Sequence, residues 1–192
     1  MNNVLVLFAT FAESERFLKL APKNTNVVVC GVGAVAAAVA TLRFIELYKP
    51  DYVILAGIAG AFEASNLELG KCVVVSSEYN GDLGSFSGGS FEPKFAQNLS
   101  CDSETMDSLA SNLPKVSSLC VNSAASPFVG EHSCAIENME GWGFFKACLD
   151  SQTKFLELRA ISNTVGDKFE NWDITTSLEN LTTQLQNIIS RL

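Results

Sequence analysis

A chain of 192 residues is long enough for one domain with its own core. Its composition, 47% hydrophobic and 18% charged, argues against disorder. A net charge of -8 with no run of Lys or Arg disfavours nucleic acid as a partner, because a phosphate backbone calls for a basic face.

Met1-Asn2-Asn3-Val4 has neither a basic n-region nor a small-residue cleavage pattern, so no leader peptide is expected. Val4 to Ala9 is a continuous apolar run and predicts a buried strand. Val27 to Cys30 predicts a second. Ala34 to Tyr48 has helical spacing and is stopped by Lys49-Pro50. The uncharged stretch from Asn24 to Leu42 is β-branched first and Ala-rich later, which is the mark of strand, turn and helix rather than of a membrane span. A soluble, cytoplasmic protein with no membrane partner is expected.

Tyr52 to Ala56 predicts a third strand, Gly57 to Gly60 a turn, and Lys71 to Ser77 a fourth strand. Asn80 to Glu92, rich in Gly and Ser, reads as a long loop. Asp102 to Asn112 reads as a helix, Val116 to Val121 as a strand, Gly141 to Asp150 as a helix and Phe155 to Ile161 as a strand. The last helix is the clearest. Asp173 can cap it, and Leu178, Leu181, Leu185, Ile188 and Leu192 form one apolar stripe, read as core. Alternating strands and helices predict an α/β fold with a mainly parallel sheet, and residues 1–192 show no linker or repeat.

Six cysteines lie at 30, 72, 101, 120, 134 and 148, mostly within apolar runs, where buried free thiols are expected. Without a CxxC pair, and with His132 the single histidine, no metal and no cofactor is expected.

Gly31-Val32-Gly33-Ala34-Val35-Ala36 follows a strand and opens a helix, as in a dinucleotide fingerprint. The glycines follow the second strand rather than the first, and Asp51 begins a strand rather than ending one. A tight turn, or a turn that approaches another ligand, fits better.

Asn138-Met139-Glu140-Gly141 and Arg159-Ala160-Ile161-Ser162-Asn163 flank a helix, a turn and a strand, a geometry that can bring Glu140 and Asn163 to one rim of a sheet. Together with Ala9-Thr10-Phe11-Ala12-Glu13, Gly31-Val32-Gly33 and Gly57-Ile58-Ala59-Gly60-Ala61-Phe62, in this order, the chain resembles the nucleoside phosphorylase and nucleosidase superfamily across nearly its whole length. Ser162-Asn163-Thr164-Val165-Gly166 and Glu170-Asn171-Trp172-Asp173-Ile174 resemble futalosine hydrolase, a nucleosidase of menaquinone synthesis.

The resemblance implies a nucleoside phosphorylase-like, three-layer α/β sandwich with a mostly parallel, mixed central sheet. It also implies a homo-oligomer, a dimer or higher, whose neighbouring subunit can complete the pocket. Cleaving an N-glycosidic bond builds oxocarbenium character on the sugar, so an activated water, anchored hydroxyls and a stabilised leaving base all help. By resemblance, Glu13 deprotonates the water and Arg159 helps to position it. Glu140 accepts from the ribose hydroxyls, with Met139 packed on the sugar. Ile58, Ala59, Gly60, Asn138 and Ser162 fall at substrate-binding positions, and Phe128 can stack on the base or pack locally. Taken alone, Glu13 is also a helix N-terminal acid that suits the dipole.

A carboxylate at the first loop repels phosphate and suits water, which favours hydrolysis over phosphorolysis. Adenine-specific nucleosidases of the superfamily place Asp where Asn163 stands. An amide NH2 offers two donors, matching the N7 and O6 acceptors of a 6-oxopurine. Asn163 therefore points to hypoxanthine or guanine as the base, and the resemblance to futalosine as substrate. The rivals are a methylthioadenosine/adenosylhomocysteine-type nucleosidase, a purine nucleoside phosphorylase, a nucleoside-binding protein without catalysis, and a dinucleotide-binding oxidoreductase.

Overall fold

Five consecutive apolar residues, Val4–Phe8, form the first strand (β1) and are buried throughout. A computed structural model describes residues 2–20, 22–93, 98–130 and 132–192. Helix α1 is Phe11–Leu18, β2 is Thr25–Val29, α2 is Ala34–Tyr48 and β3 is Tyr52–Ala61. Then come β4 (Cys72–Asn80), the hairpin of β5 (Gly84–Ser87) and β6 (Ser90–Pro93), and β7 (Asn98–Ser100). Helix α3 (Ser103–Ala110), β8 (Lys115–Cys120), β9 (Ile136–Asn138), α4 (Gly141–Asp150), β10 (Lys154–Thr164) and α5 (Ile174–Ile189) complete the chain.

The eight-stranded central sheet runs β10-β4-β8-β9-β3-β1-β2, with β7 beside β4. The β1/β2, β1/β3, β3/β10, β4/β8 and β8/β9 pairs are parallel. The β4/β10, β3/β9 and β4/β7 pairs are antiparallel. Because β10 also pairs with β3, the strands β3, β10, β4, β8 and β9 close into a ring. Helices pack against the sheet in two pairs, α2 with α4 and α1 with α5. This is a mixed α/β fold with a mixed, mostly parallel central sheet, as the element order predicts.

The core is built from β1, β3, β4 and β10 together with Phe17, Phe144, Phe145 and the α5 residues Leu181, Leu185 and Ile188. Leu178 and Leu192 pack on its margin. Asp173 caps α5 by accepting from Thr176 N. All six cysteines are free and buried. Among the described residues, no helix is long and apolar enough to cross a membrane.

Two expectations need correction. Gly57 to Gly60 is not a turn: β3 runs through it to Ala61, paired with β10 on one edge and β9 on the other. The long loop from Asn80 to Glu92 instead contains the β5/β6 hairpin, turned at Gly88-Gly89. Strands β7 and β9, each three residues long, carry no pattern that sequence periodicity can detect.

Candidate active site

The segments that follow β1 and β9, together with β10, deliver one cluster of polar side chains, and β3 adds backbone groups. A cavity of about 450 Å³ opens there and is lined by Glu13, Glu140, Arg159 and Asn163 among others. The four residues on which the sequence argument turns are therefore brought together.

Glu13 sits in the first turn of α1, where Thr10 is the N-cap. The Thr10 hydroxyl accepts from Glu13 N, and the Glu13 carboxylate accepts from Thr10 N at 3.0 Å and from Thr10 Oγ1 at 2.9 Å, all on Oε2. This reciprocal capping box fixes the side chain. Its other oxygen, Oε1, accepts from Ile58 N at 3.1 Å. A helix-capping acid and a candidate general base are thus the same carboxylate, oriented by three protein donors and still bordering the cavity.

Arg159 is 1% exposed, yet it lines the cavity. Its Nε donates to Glu157 at 2.8 Å, Nη1 to Ile58 O at 3.2 Å, and Nη2 to both Asn138 Oδ1 and Glu140 Oε2 at 3.2 Å. Burial opposes its charge, but Glu157 and Glu140 outweigh burial and hold its pKa above the ordinary value. The close approach depends on Gly57, where a Cβ would lie 2.7 Å from Arg159 Nη1 and 2.9 Å from Glu13 Oε1. Arg159 and Glu13 therefore crowd the same face of β3.

Glu140 stands at the N-cap position of α4, and its carboxylate is anchored twice, through Arg159 on Oε2 and Gly33 N on Oε1 at 3.3 Å. The Gly31-Val32-Gly33 turn thus serves this carboxylate, which explains why it resembles a dinucleotide fingerprint without standing at the first strand. Met139, half-buried beside it, lines the cavity.

Behind this front lie two acids that the sequence argument missed, Glu78 on β4 and Glu157 on β10, both fully buried. They converge beside Gly141, where a Cβ would fall 2.8 Å from Glu157 Oε1 and closer still to Glu78. Burial, then the neighbouring Glu157, push the Glu78 carboxyl well above the usual carboxylate range. Burial also raises Glu157, but Arg159 pulls it down. Both carboxyls are thus held above the ordinary carboxylate range, Glu78 well above it. A signal was available: Glu157 and Arg159 stand at i and i+2 within an apolar strand, on the same face.

Asn138 bridges front and back. Its Nδ2 donates to Glu78 Oε1 and Ser118 Oγ, each at 2.6 Å, while Oδ1 accepts from Glu140 N, Gly141 N and Arg159. Its side-chain amide is bonded within the protein and positions its neighbours, while the residue itself borders the cavity.

Asn163 Oδ1 accepts from Ser162 Oγ at 2.7 Å, and Nδ2 donates to Thr164 O at 3.0 Å. A carbonyl can only accept, so Thr164 fixes which end of the amide carries nitrogen. The expectation of two free donors is thereby corrected, since one N–H is already bonded to Thr164. Ile58 contributes backbone N–H and C=O, and Ala59 and Gly60 border the cavity. Phe128 does not line it. That ring is 51% exposed and meets Phe86 edge-on at 5.7 Å, so local packing is its role here. The aromatic groups at the cavity are Phe169 and Trp172, 5.1 Å apart, with Trp172 Nε1 donating to Asp167 O.

Residues 16–116 match the Phosphorylase superfamily. The 5'-methylthioadenosine/S-adenosylhomocysteine nucleosidase of Maridesulfovibrio salexigens is 44% identical over 61 residues, 30% of this chain and 26% of that one, so the match spans about a quarter of that relative. The futalosine hydrolase of Thermus thermophilus is 28% identical, across 96% of this chain and 92% of its own. Among solved structures, a mutant of Helicobacter pylori MTAN with 5'-methylthioadenosine in its active site has a TM-score of 0.80 at 17% identity, covering 100% of both chains. That likeness shows the shared fold. Glu13, Glu140, Arg159 and Asn163 lie outside the span 16–116, and their grouping rests on geometry.

Proposed function

The chain belongs to the phosphorylase superfamily, and from that membership we propose that it is a nucleosidase, which hydrolyses the N-glycosidic bond of a 6-oxopurine nucleoside, with futalosine as the substrate to test first. The observation that carries this reading is the pairing of two carboxylates with different supports in one cavity. Glu13 is held by Thr10 and Ile58, and Glu140 by Arg159 and Gly33.

In this reading Glu140 accepts hydrogen bonds from the ribose hydroxyls. Glu13 takes a proton from water, whose oxygen attacks C1′. The C1′–N bond breaks, and its electron pair leaves with the base, steadied by the Asn163 N–H. The Arg159 fork is largely occupied by Glu157, Ile58, Asn138 and Glu140, which leaves little of it to grip phosphate and supports water as the nucleophile. Residues 1–192 then act as one nucleosidase domain in the cytoplasm. The exposed Val35, Val39 and Leu42 of α2 offer a face for a second copy.

The near full-length likeness to a futalosine hydrolase supports the oxopurine reading. The local likeness to methylthioadenosine nucleosidases supports the adenine alternative. Incubation with futalosine, inosine, methylthioadenosine and adenosylhomocysteine, with and without phosphate, separates them. Phosphate-independent release of hypoxanthine is expected. Release of adenine alone refutes the base assignment, phosphate dependence makes the enzyme a phosphorylase, and binding without turnover on all four removes catalysis.

A further inference from the structure

Glu157 is fully buried and, unlike Arg159, takes no part in the cavity wall. Any effect it has on a substrate must pass through a neighbour, and that neighbour is Arg159. Glu157 Oε1 accepts from Arg159 Nε at 2.8 Å. Nε is the guanidinium nitrogen nearest the main chain, and the fork beyond it is planar and rigid. Holding Nε therefore fixes the plane in which both outer nitrogens point. Nη1 then meets Ile58 O, and Nη2 meets Asn138 Oδ1 and Glu140 Oε2, each at 3.2 Å. The bond at the root of the fork is shorter than those at its tips.

An acid at this place in β10 is costly. Glu157 Oε2 is buried and accepts no hydrogen bond among the described residues, and the same is true of Oε2 on the neighbouring Glu78. A dry, unpaired oxygen opposes folding, and an apolar side chain between the buried Leu156 and Leu158 would avoid the penalty. Glu78 repeats the arrangement. Its Oε1 accepts from Asn138 Nδ2 at 2.6 Å, and Asn138 Oδ1 accepts from Glu140 N at 2.9 Å. Two hidden acids thus reach the front of the site through one intermediate each. Both lines end on Glu140, one at its carboxylate and the other at its backbone.

We propose that Glu157 is a positioning residue for the sugar subsite: by fixing Arg159 Nε it holds the Glu140 carboxylate in the orientation that receives the ribose hydroxyls. The inference rests on the nucleosidase reading and deepens it. Without an acceptor at Nε the fork is free to turn about the Cδ–Nε bond. Glu140 then keeps only its 3.3 Å bond from Gly33 N as a fixed support. A carboxylate held at one oxygen grips a pair of hydroxyls less well than one held at both.

The test uses the full chain and whichever of futalosine and methylthioadenosine the wild type hydrolyses, beside the 2′-deoxy and 3′-deoxy forms of the same nucleoside. Deoxy forms differ in intrinsic reactivity, so the quantity read is the change in preference between proteins, as ratios of kcat/KM. Glu157→Leu is expected to lower kcat/KM for the ribosyl form about tenfold more than for at least one deoxy form, the range for weakening a bond to a charged group. Glu157→Gln, whose amide oxygen still accepts from Nε, should keep most of the wild-type preference. Equal losses on the ribosyl form and both deoxy forms mean that Glu157 serves only the fold, and overturn the proposal. A wild type that hydrolyses no nucleoside overturns the nucleosidase reading itself. Should Glu157→Leu fail to fold, Glu157→Asp takes its place, because it is one methylene shorter and draws the carboxylate away from Nε. The same narrowing is expected of it.

Discussion

Arg159 Nε donates to Glu157 Oε1 at 2.8 Å, and both side chains are closed to solvent. Their spacing of two along β10 puts both on one face of a strand. From there Arg159 reaches forward to Glu140 at 3.2 Å, so a single cation links a hidden acid to an acid at the cavity.

Removing that cation strands two carboxylates. Arg159→Met keeps the side-chain length but leaves Glu157 and Glu140 unpaired, a situation that typically costs 3–5 kcal/mol, taken as a rough guide. Urea denaturation should show a large drop in midpoint with the slope unchanged. A drop of only a few tenths would mean that the pair is dispensable.

Glu13 and Thr10 make separable predictions. Glu13→Gln retains an acceptor for the capping bonds but no longer takes a proton from water, so kcat should fall by orders of magnitude while the fold persists. Thr10→Ala removes the cap hydroxyl, costs about 1 kcal/mol of stability and loosens the base, so kcat should fall several-fold. Circular dichroism and steady-state kinetics distinguish them. Equal kcat losses would argue against a chemical role for Glu13.

Gly57→Ala places a methyl between Arg159 Nη1 and Glu13 Oε1. Overpacking of this kind costs about 1–3 kcal/mol, and displacement of a positioned base by about 1 Å can lower the rate by roughly 10²-fold. kcat should fall at least tenfold with a modest loss of thermal midpoint. Wild-type turnover in this variant would show that the two side chains do not need their present approach.

The buried acid pair sets a pH dependence with a defined sign. The folded-state pKa of Glu78 lies above its ordinary value of 4.5, with burial as the main cause. The folded state therefore holds this proton more tightly than the unfolded chain does. The resulting stability is fully present below about 4.5 and is lost as pH rises through the raised folded value. Glu78→Gln carries no such proton. Denaturation midpoints across a pH series should show the wild type losing ground to Glu78→Gln as pH increases. A gap that stays constant would place the proton elsewhere.

Local signals account for what the sequence makes legible. Helix α2 ends at Lys49-Pro50 and α4 spans Gly141–Asp150, because caps and helix breakers act within a few residues. Strand β3 extends past its expected end because pairing with β10 and β9 holds Gly57 to Gly60 extended, and neither partner is near in sequence. Among site residues, Glu13, Glu140, Arg159 and Asn163 stand in recognisable motifs. Glu137, which also lines the cavity, stands just before the motif, and its place opposite Gly60 exists only once β3 and β9 pair. The spent amide of Asn138 and the Thr164 bond of Asn163 follow from side-chain direction, which spacing along the chain does not encode.

Closure of the strand ring has a kinetic consequence. Strand β10 bears Glu157, Arg159 and Asn163, and it is hydrogen-bonded to β3 on one edge and, over Leu158 to Ala160, to β4 on the other. No end of that central segment can peel away alone. Hydrogen exchange at these amides should proceed only through global opening, whereas the β5/β6 hairpin, which stands outside the ring, exchanges by local opening. Heat or denaturant should then abolish activity in step with unfolding, with no intermediate that is folded but inactive.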